Sequence, residues 1–117
     1  VAARVAADGY ALPCLVHSQA YVASSVKLGH GCIVMARATI DHRCAIGDGA
    51  VIWPGAVVSH DSSIGMHTFL SPNCTICGFS SLGERCFVGA GAVVVDHMTV
   101  PPATRMKANE VYHAGSQ

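Results

Sequence analysis

An excess of charge of either sign is missing from this sequence: seven Lys and Arg are balanced by seven Asp and Glu among 117 residues. A neutral chain carries no electrostatic footprint for nucleic acid or anionic membrane, which argues against both as partners. Long apolar runs are missing as well. The stretch "AVIWPGAVV" is broken by Pro54 and Gly55, well short of a membrane span. The opening "VAARVAADGYALPCLV" lacks the apolar core of a signal peptide, so the expected compartment is the cytoplasm. Helical periodicity fails throughout, and simple alternation is interrupted every few residues.

What is present is a six-residue clock. From Val16, steps of six land on Val22, Leu28, Val34, Ile40, Ile46, Ile52, Val58, Ile64, Leu70, Ile76, Leu82, Val88, Val94, Val100 and Met106. Every landing is aliphatic or methionine, and four residues after each comes a mostly small one, such as Ala38, Cys44, Ala50, Ala56 and Ser62. A large and a small residue two apart on a short strand share one face. The pattern therefore predicts one strand and one turn per six residues, with both marked positions pointing inward. Gly29, Gly47, Gly65 and Gly83 recur every eighteen residues, which implies three strands per coil and a triangular prism of about five coils. Successive coils would stack about 4.8 Å apart.

The six cysteines fit this frame rather than a disulfide scaffold. Cys32, Cys44, Cys74 and Cys86 occupy the small inward position, Cys14 fits one repeat earlier, and only Cys77 falls on a turn. Inward cysteines act as small apolar fillers, and on different edges they cannot converge on a zinc ion. All six are expected to be reduced.

At eighteen residues per coil, Ser24, His42, His60, Gly78 and Asp96 form one outward column. Arg43, Asp61, Phe79 and His97 form its neighbour. A histidine beside a carboxylate is a candidate general base, and a glycine one coil above it admits close approach of a ligand to the backbone N–H. The outward positions Ile33, Val51, Phe69 and Phe87 make an apolar stripe, with Met35 and Trp53 at the adjoining turn. Such a strip marks a partner surface. No outward threonine ladder exists, which sets aside an ice-binding prism.

The hexapeptide clock resembles the left-handed parallel β-helix proteins, and the left hand is implied by that resemblance alone. It divides the chain into a β-helix over 16–105, a segment 1–15 read as the remnant of a preceding domain, and a tail over 106–117 that leaves the prism at Pro101 and Pro102. The runs "GAVVSHDSSIG" and "SPNCTICGFSSLGERCFVGAGAVVV" are similar to the sialic acid O-acetyltransferases and bacillosamine N-acetyltransferases (the NeuD and PglD type). That resemblance implies an acetyl-CoA-dependent transfer to an amine or hydroxyl of a sugar or nucleotide-sugar. It makes His60 the general base, Asp61 its acid partner, and Gly78 the donor to the thioester oxygen. It implies that Gly78, Phe79, Ala90, Gly91, Asp96 and His97 line the acetyl-CoA channel and that the molecule is a homotrimer; His42, stacked under His60, either contacts the acceptor or simply shares the column. The enzymes of that type carry an N-terminal nucleotide-sugar domain, so the alternative is a non-catalytic scaffold or assembly module that has lost its substrate domain. No metal is expected: γ-class carbonic anhydrases of this fold need two histidines five residues apart, and no two here have that spacing.

Overall fold

The computed structural model describes residues 12–116 as a prism of parallel strands, 45 × 26 × 23 Å. Seventeen two-residue strands recur every six positions and sort into three parallel sheets, which are the faces of the prism. The first face begins at Leu15–Val16 and ends at Arg105–Met106, passing through Val51–Ile52, Phe69–Leu70 and Phe87–Val88. The second runs from Tyr21–Val22 to Val111–Tyr112, and the third from Lys27–Leu28 to Thr99–Val100. Register is eighteen residues throughout, as in Phe69 against Phe87 and Ile76 against Val94.

Alternation within each strand decides what is buried. The second residue of a strand points inward, so Ile40, Ile52, Leu70 and Ile76 are wholly buried, each worth about 1.5–3 kcal/mol of transfer free energy. The small inward residue before each strand often does more than fill space. Cys44, Ser62 and Ser80 stack in one column, and each donates to the carbonyl fifteen residues later: Ser59 O at 3.0 Å, Cys77 O at 3.1 Å and Val95 O at 2.9 Å. Thr68 and Cys86 repeat the bond on another edge, to Gly83 O and Pro101 O. A thiol thus stands in for a hydroxyl as a short inward donor. All six cysteines are free thiols, and burial pushes that of Cys74 up to about 12, so it is inert.

The three edges are built alike but filled differently. Each turn places one residue in the left-handed region, every six positions from Gly31 to Asn109. The glycines at 29, 47, 65 and 83 are not those residues. They are small because the next coil touches them: a Cβ on Gly65 would lie 2.4 Å from Gly83 C and 2.5 Å from Glu84 N. Close approach, not backbone freedom, explains this glycine column.

The C-terminal boundary differs from the sequence reading, while the first strand, Leu15–Val16, lies where the ladder was expected to begin. The ladder does not leave the prism at Pro101. Met106 and Tyr112 are 2% and 6% exposed, and Val111–Tyr112 pairs with Val93–Val94, before a 3-10 turn at Ala114–Ser116. The prolines are tolerated because they follow Thr99–Val100, the edge strand of the third face among the described residues, where a missing N–H breaks no ladder bond. The left-handed position of that turn falls one residue later, on Ala103. At the other end Val16 is 40% exposed, because no coil lies beyond it among the described residues. Most of segment 1–15, residues 1–11, lies outside the described residues.

Candidate active site

The edge between the second and third faces gathers most of the expected site residues. Its turns follow Thr39–Ile40, Val57–Val58, Thr75–Ile76 and Val93–Val94, and stack His42, His60, Gly78 and Asp96 beside Arg43, Asp61, Phe79 and His97. The second column is in the left-handed region at every level, with φ of 58°, 58°, 59° and 59°. None of these four is glycine or asparagine, the residues that adopt the region most readily. The left-handed position recurs at every turn from Gly31 to Asn109, and on this edge it is filled by these four larger side chains.

His60 Nδ1 lies 3.0 Å from Asp61 Oδ2. Arg43, one coil below, meets both Asp61 oxygens, Nε to Oδ1 at 2.8 Å and Nη2 to Oδ2 at 3.0 Å. The Arg43 guanidinium, and then His60, hold the Asp61 carboxyl down to about 2, so it is an anion that can only accept. The hydrogen between it and His60 therefore belongs to Nδ1, and in the neutral ring Nε2 is then the lone-pair nitrogen. Nε2 faces Gly78, where a Cβ would lie 3.1 Å from it. The Gly78 N–H has no acceptor among the described residues, while Gly78 O takes the His97 N–H at 3.0 Å. An imidazole nitrogen and an uncommitted donor thus sit one coil apart.

Aromatic contacts continue the column upward. The Phe79 ring meets His60 edge-on at 5.1 Å and stacks on His97 at 5.0 Å. His97 Nδ1 in turn lies 2.8 Å from Asp96 Oδ2, which lowers the Asp96 carboxyl below its ordinary value. His42 stands in the column below His60, with its ring nitrogen 3.7 Å from Asp41. Six of the expected site residues therefore share one edge: His60, Asp61, Gly78, Phe79, Asp96 and His97, with His42 beneath them. Ala90 and Gly91 do not. They lie on the edge between the first and second faces, where Gly91 N donates to Pro72 O. Arg43 was not singled out from the sequence. The signal was available, an opposite charge eighteen residues from Asp61.

Among the described residues no cluster of three or more His, Cys, Asp or Glu could hold a metal ion. No helix among them is long and apolar enough to cross a membrane. A shallow groove of about 340 Å³ runs along the third face, lined by Ala45, Ile46, Gly47, Ser63 and Ile64, and does not include His60. The first face is the aromatic one: Trp53 packs on Phe69 at 5.6 Å, Phe69 stacks on Phe87 at 5.5 Å, and the Arg105 guanidinium lies 4.9 Å over Phe87.

A scan against protein families matches bacterial transferase hexapeptide (six repeats) over residues 25–60 and 61–96. The chain belongs to that family. A search of curated proteins found no match. Among solved structures, this hexapeptide-family chain is similar to GDP-perosamine N-acetyltransferase from Caulobacter crescentus, crystallised as a histidine-to-alanine variant with CoA and GDP-perosamine. The two share 39% identity at a TM-score of 0.87, over 90% of this chain and 50% of that one. It is also similar to the acetyltransferase domain of PglB from Neisseria gonorrhoeae, at 30% identity and a TM-score of 0.87, over 90% of this chain and 51% of that one. The same domain in complex with acetyl coenzyme A matches at 29% identity and a TM-score of 0.84, over 92% and 54%. The hexapeptide-family chain thus spans about half the length of these relatives. Likeness to them establishes the fold as a left-handed parallel β-helix.

Proposed function

We propose that this chain carries the acyl-transfer site of an acetyl-CoA-dependent sugar acyltransferase. The observation that carries the reading is the His60 imidazole, its Nδ1 held by an anionic Asp61 and its Nε2 turned toward the uncommitted N–H of Gly78. Acetyl-CoA is the acyl donor when bound. His60 Nε2 takes the proton from the acceptor nitrogen or oxygen as that atom bonds to the acetyl carbon, and returns it to the departing CoA sulfur. The Gly78 N–H donates to the carbonyl oxygen as it gains charge, a task for a preorganised donor. No covalent enzyme intermediate is required, and Cys77, beside Gly78, has no histidine within hydrogen-bonding distance.

The relatives bound to CoA and GDP-perosamine, or to acetyl coenzyme A, support a nucleotide-linked amino sugar as acceptor, with nitrogen as the acylated atom. A thioester donor and six unpaired thiols fit a cytoplasmic protein. Three copies around an axis parallel to the coils would bury the aromatic first face, and would bring Ala90 and Gly91 of one copy to the His60 edge of the next, closing the CoA channel. His42 would then contact the acceptor, and Phe79, Asp96 and His97 the CoA arm.

Free-thiol release from acetyl-CoA in the presence of GDP-perosamine, followed by other nucleotide-linked amino sugars, tests the reaction. Transfer by the wild type that is lost in His60→Ala is the expected result. Failure of the chain to bind acetyl-CoA by calorimetry would favour the scaffold alternative. A monomer mass by light scattering would remove the shared channel.

A further inference from the structure

Arg43 is not needed to write the transfer step, yet it makes a two-point contact on the His60 edge. Its guanidinium grips both oxygens of Asp61, at 2.8 and 3.0 Å, and Oδ2 is the same atom that accepts from His60 Nδ1. We propose that Arg43 is a positioning residue for His60: by fixing the plane of the Asp61 carboxylate, it holds the imidazole in the Nδ1–H tautomer with Nε2 bare. The consequence for turnover rests on His60 being the base; the positioning itself does not.

The argument is geometric. The torsion that turns an aspartate carboxylate is soft and broad. The backbone of Asp61 is anchored, its N–H donating to His42 O at 2.9 Å, but its side chain has only two partners among the described residues, Arg43 and His60. A planar guanidinium bonding both oxygens fixes the carboxylate plane as a single-point cation does not. Arg43 is itself anchored from below, its N–H donating to Ser25 Oγ at 2.8 Å. A chain of contacts thus climbs three coils, from Ser25 through Arg43 and Asp61 to the imidazole. The tautomer of a neutral histidine is set by the partner of one ring nitrogen, so whatever aims Oδ2 chooses which nitrogen is left bare.

The same contact contributes little to the fold. The side chains of Arg43 and Asp61 are 65% and 22% exposed, and exposed ion pairs add little stability. Positioning can therefore be removed without unfolding the prism. Arg43→Gln keeps the length of the side chain and discards the fork; Arg43→Lys keeps the charge.

Nitrogen NMR of the His60 ring, assigned by comparison with His60→Ala and recorded at mildly alkaline pH, reads the tautomer directly. The wild type is expected to show Nδ1–H almost alone. Arg43→Gln should lower the ratio of Nδ1–H to Nε2–H at least about threefold, with Arg43→Lys between the two, while the melting midpoint falls no further than in Asp61→Asn and acetyl-CoA affinity stays at its wild-type value. An unchanged tautomer ratio in Arg43→Gln would overturn the proposal and make Arg43 an ordinary surface ion pair. A shifted ratio with undiminished acetyl transfer to GDP-perosamine would uphold the positioning and defeat the reading of His60 as base.

Discussion

Two edges of the same prism have opposite content. On the edge between the third and first faces, Gly29, Gly47, Gly65 and Gly83 meet the backbone of the coil above so closely that no side chain fits. On the edge between the second and third faces, the equivalent turns carry His60, Asp61, Phe79, Asp96 and His97, and neighbouring coils touch through side chains instead. One repeat thus yields an edge packed through glycine and an edge that carries the candidate site, hereafter the chemical edge. The glycines hold the first turn position, where backbone meets backbone; at the second and third positions side chains project on both edges, Glu84 pairing with Arg85 at 3.0 Å on one and Asp61 with Arg43 across coils on the other.

Substitutions on the two edges should separate cleanly. His60→Ala should lower turnover by about 10²–10⁴-fold, or roughly 3–5 kcal/mol of barrier, with an unchanged melting curve. A variant that transfers acetyl groups at the wild-type rate would return His60 to the surface residues. Gly65→Ala should do the reverse. Its Cβ falls 2.4–2.5 Å from backbone atoms of Gly83 and Glu84 that cannot move alone, so about 3 kcal/mol of stability should be lost, read by denaturant titration. Gly78→Ala tests the boundary between the edges. Its Cβ would lie 3.1 Å from the His60 ring and 3.4 Å from the His60 carbonyl oxygen, and its φ is not in the left-handed region, so the fold should hold while the ring shifts by a few tenths of an ångström. About a tenfold fall in turnover is expected, without loss of melting temperature.

The smallest effect concerns acid. The Asp61 carboxyl is lowered from its ordinary 3.8 to about 2 by Arg43 and His60. A lowered carboxyl stabilises the folded chain above its unfolded value, and that contribution fades as pH falls through the folded one. The melting-temperature gap between wild type and Asp61→Asn should therefore be flat from neutrality to about pH 5 and close between about pH 4 and pH 2. A gap that persists below pH 2 would mean that Asp61 acts on the fold through something other than its charge.

Most of the architecture was legible because it is written in a strict period. The inward aliphatic recurs from Val22 to Met106 without a slip, and each lands inside the prism. The end of the ladder was misread because Tyr112 breaks the aliphatic rule and Pro101 and Pro102 look like an exit, when they occupy a turn beside an edge strand. The columns of the site followed from the same period, so the stacking of Gly78 over His60 was legible too. The alignment of Arg43 with Asp61 followed from the period as well, but the two-point clamp between them did not. It depends on both residues holding left-handed backbone, which their side chains do nothing to announce, and on a guanidinium that reaches upward rather than into water. The cysteine donors were also hidden, since a filler and a hydrogen-bonded thiol occupy the same inward position.

The parallel ladder also makes the chemical edge a ruler. Groups in one column can be separated only by whole coils, about 4.8 Å apart, so Gly78 stands one division above His60, and Asp96 two divisions, about 9.6 Å, above it. A loop-built active site tunes its distances continuously; this one can change them only by jumping a division or switching columns. Inserting or deleting eighteen residues between His60 and Asp96 would slide one His–Asp pair past the other by a full graduation, with both edges intact. The length of ligand that such an edge can span is therefore quantised, and counting coils is a way to read it.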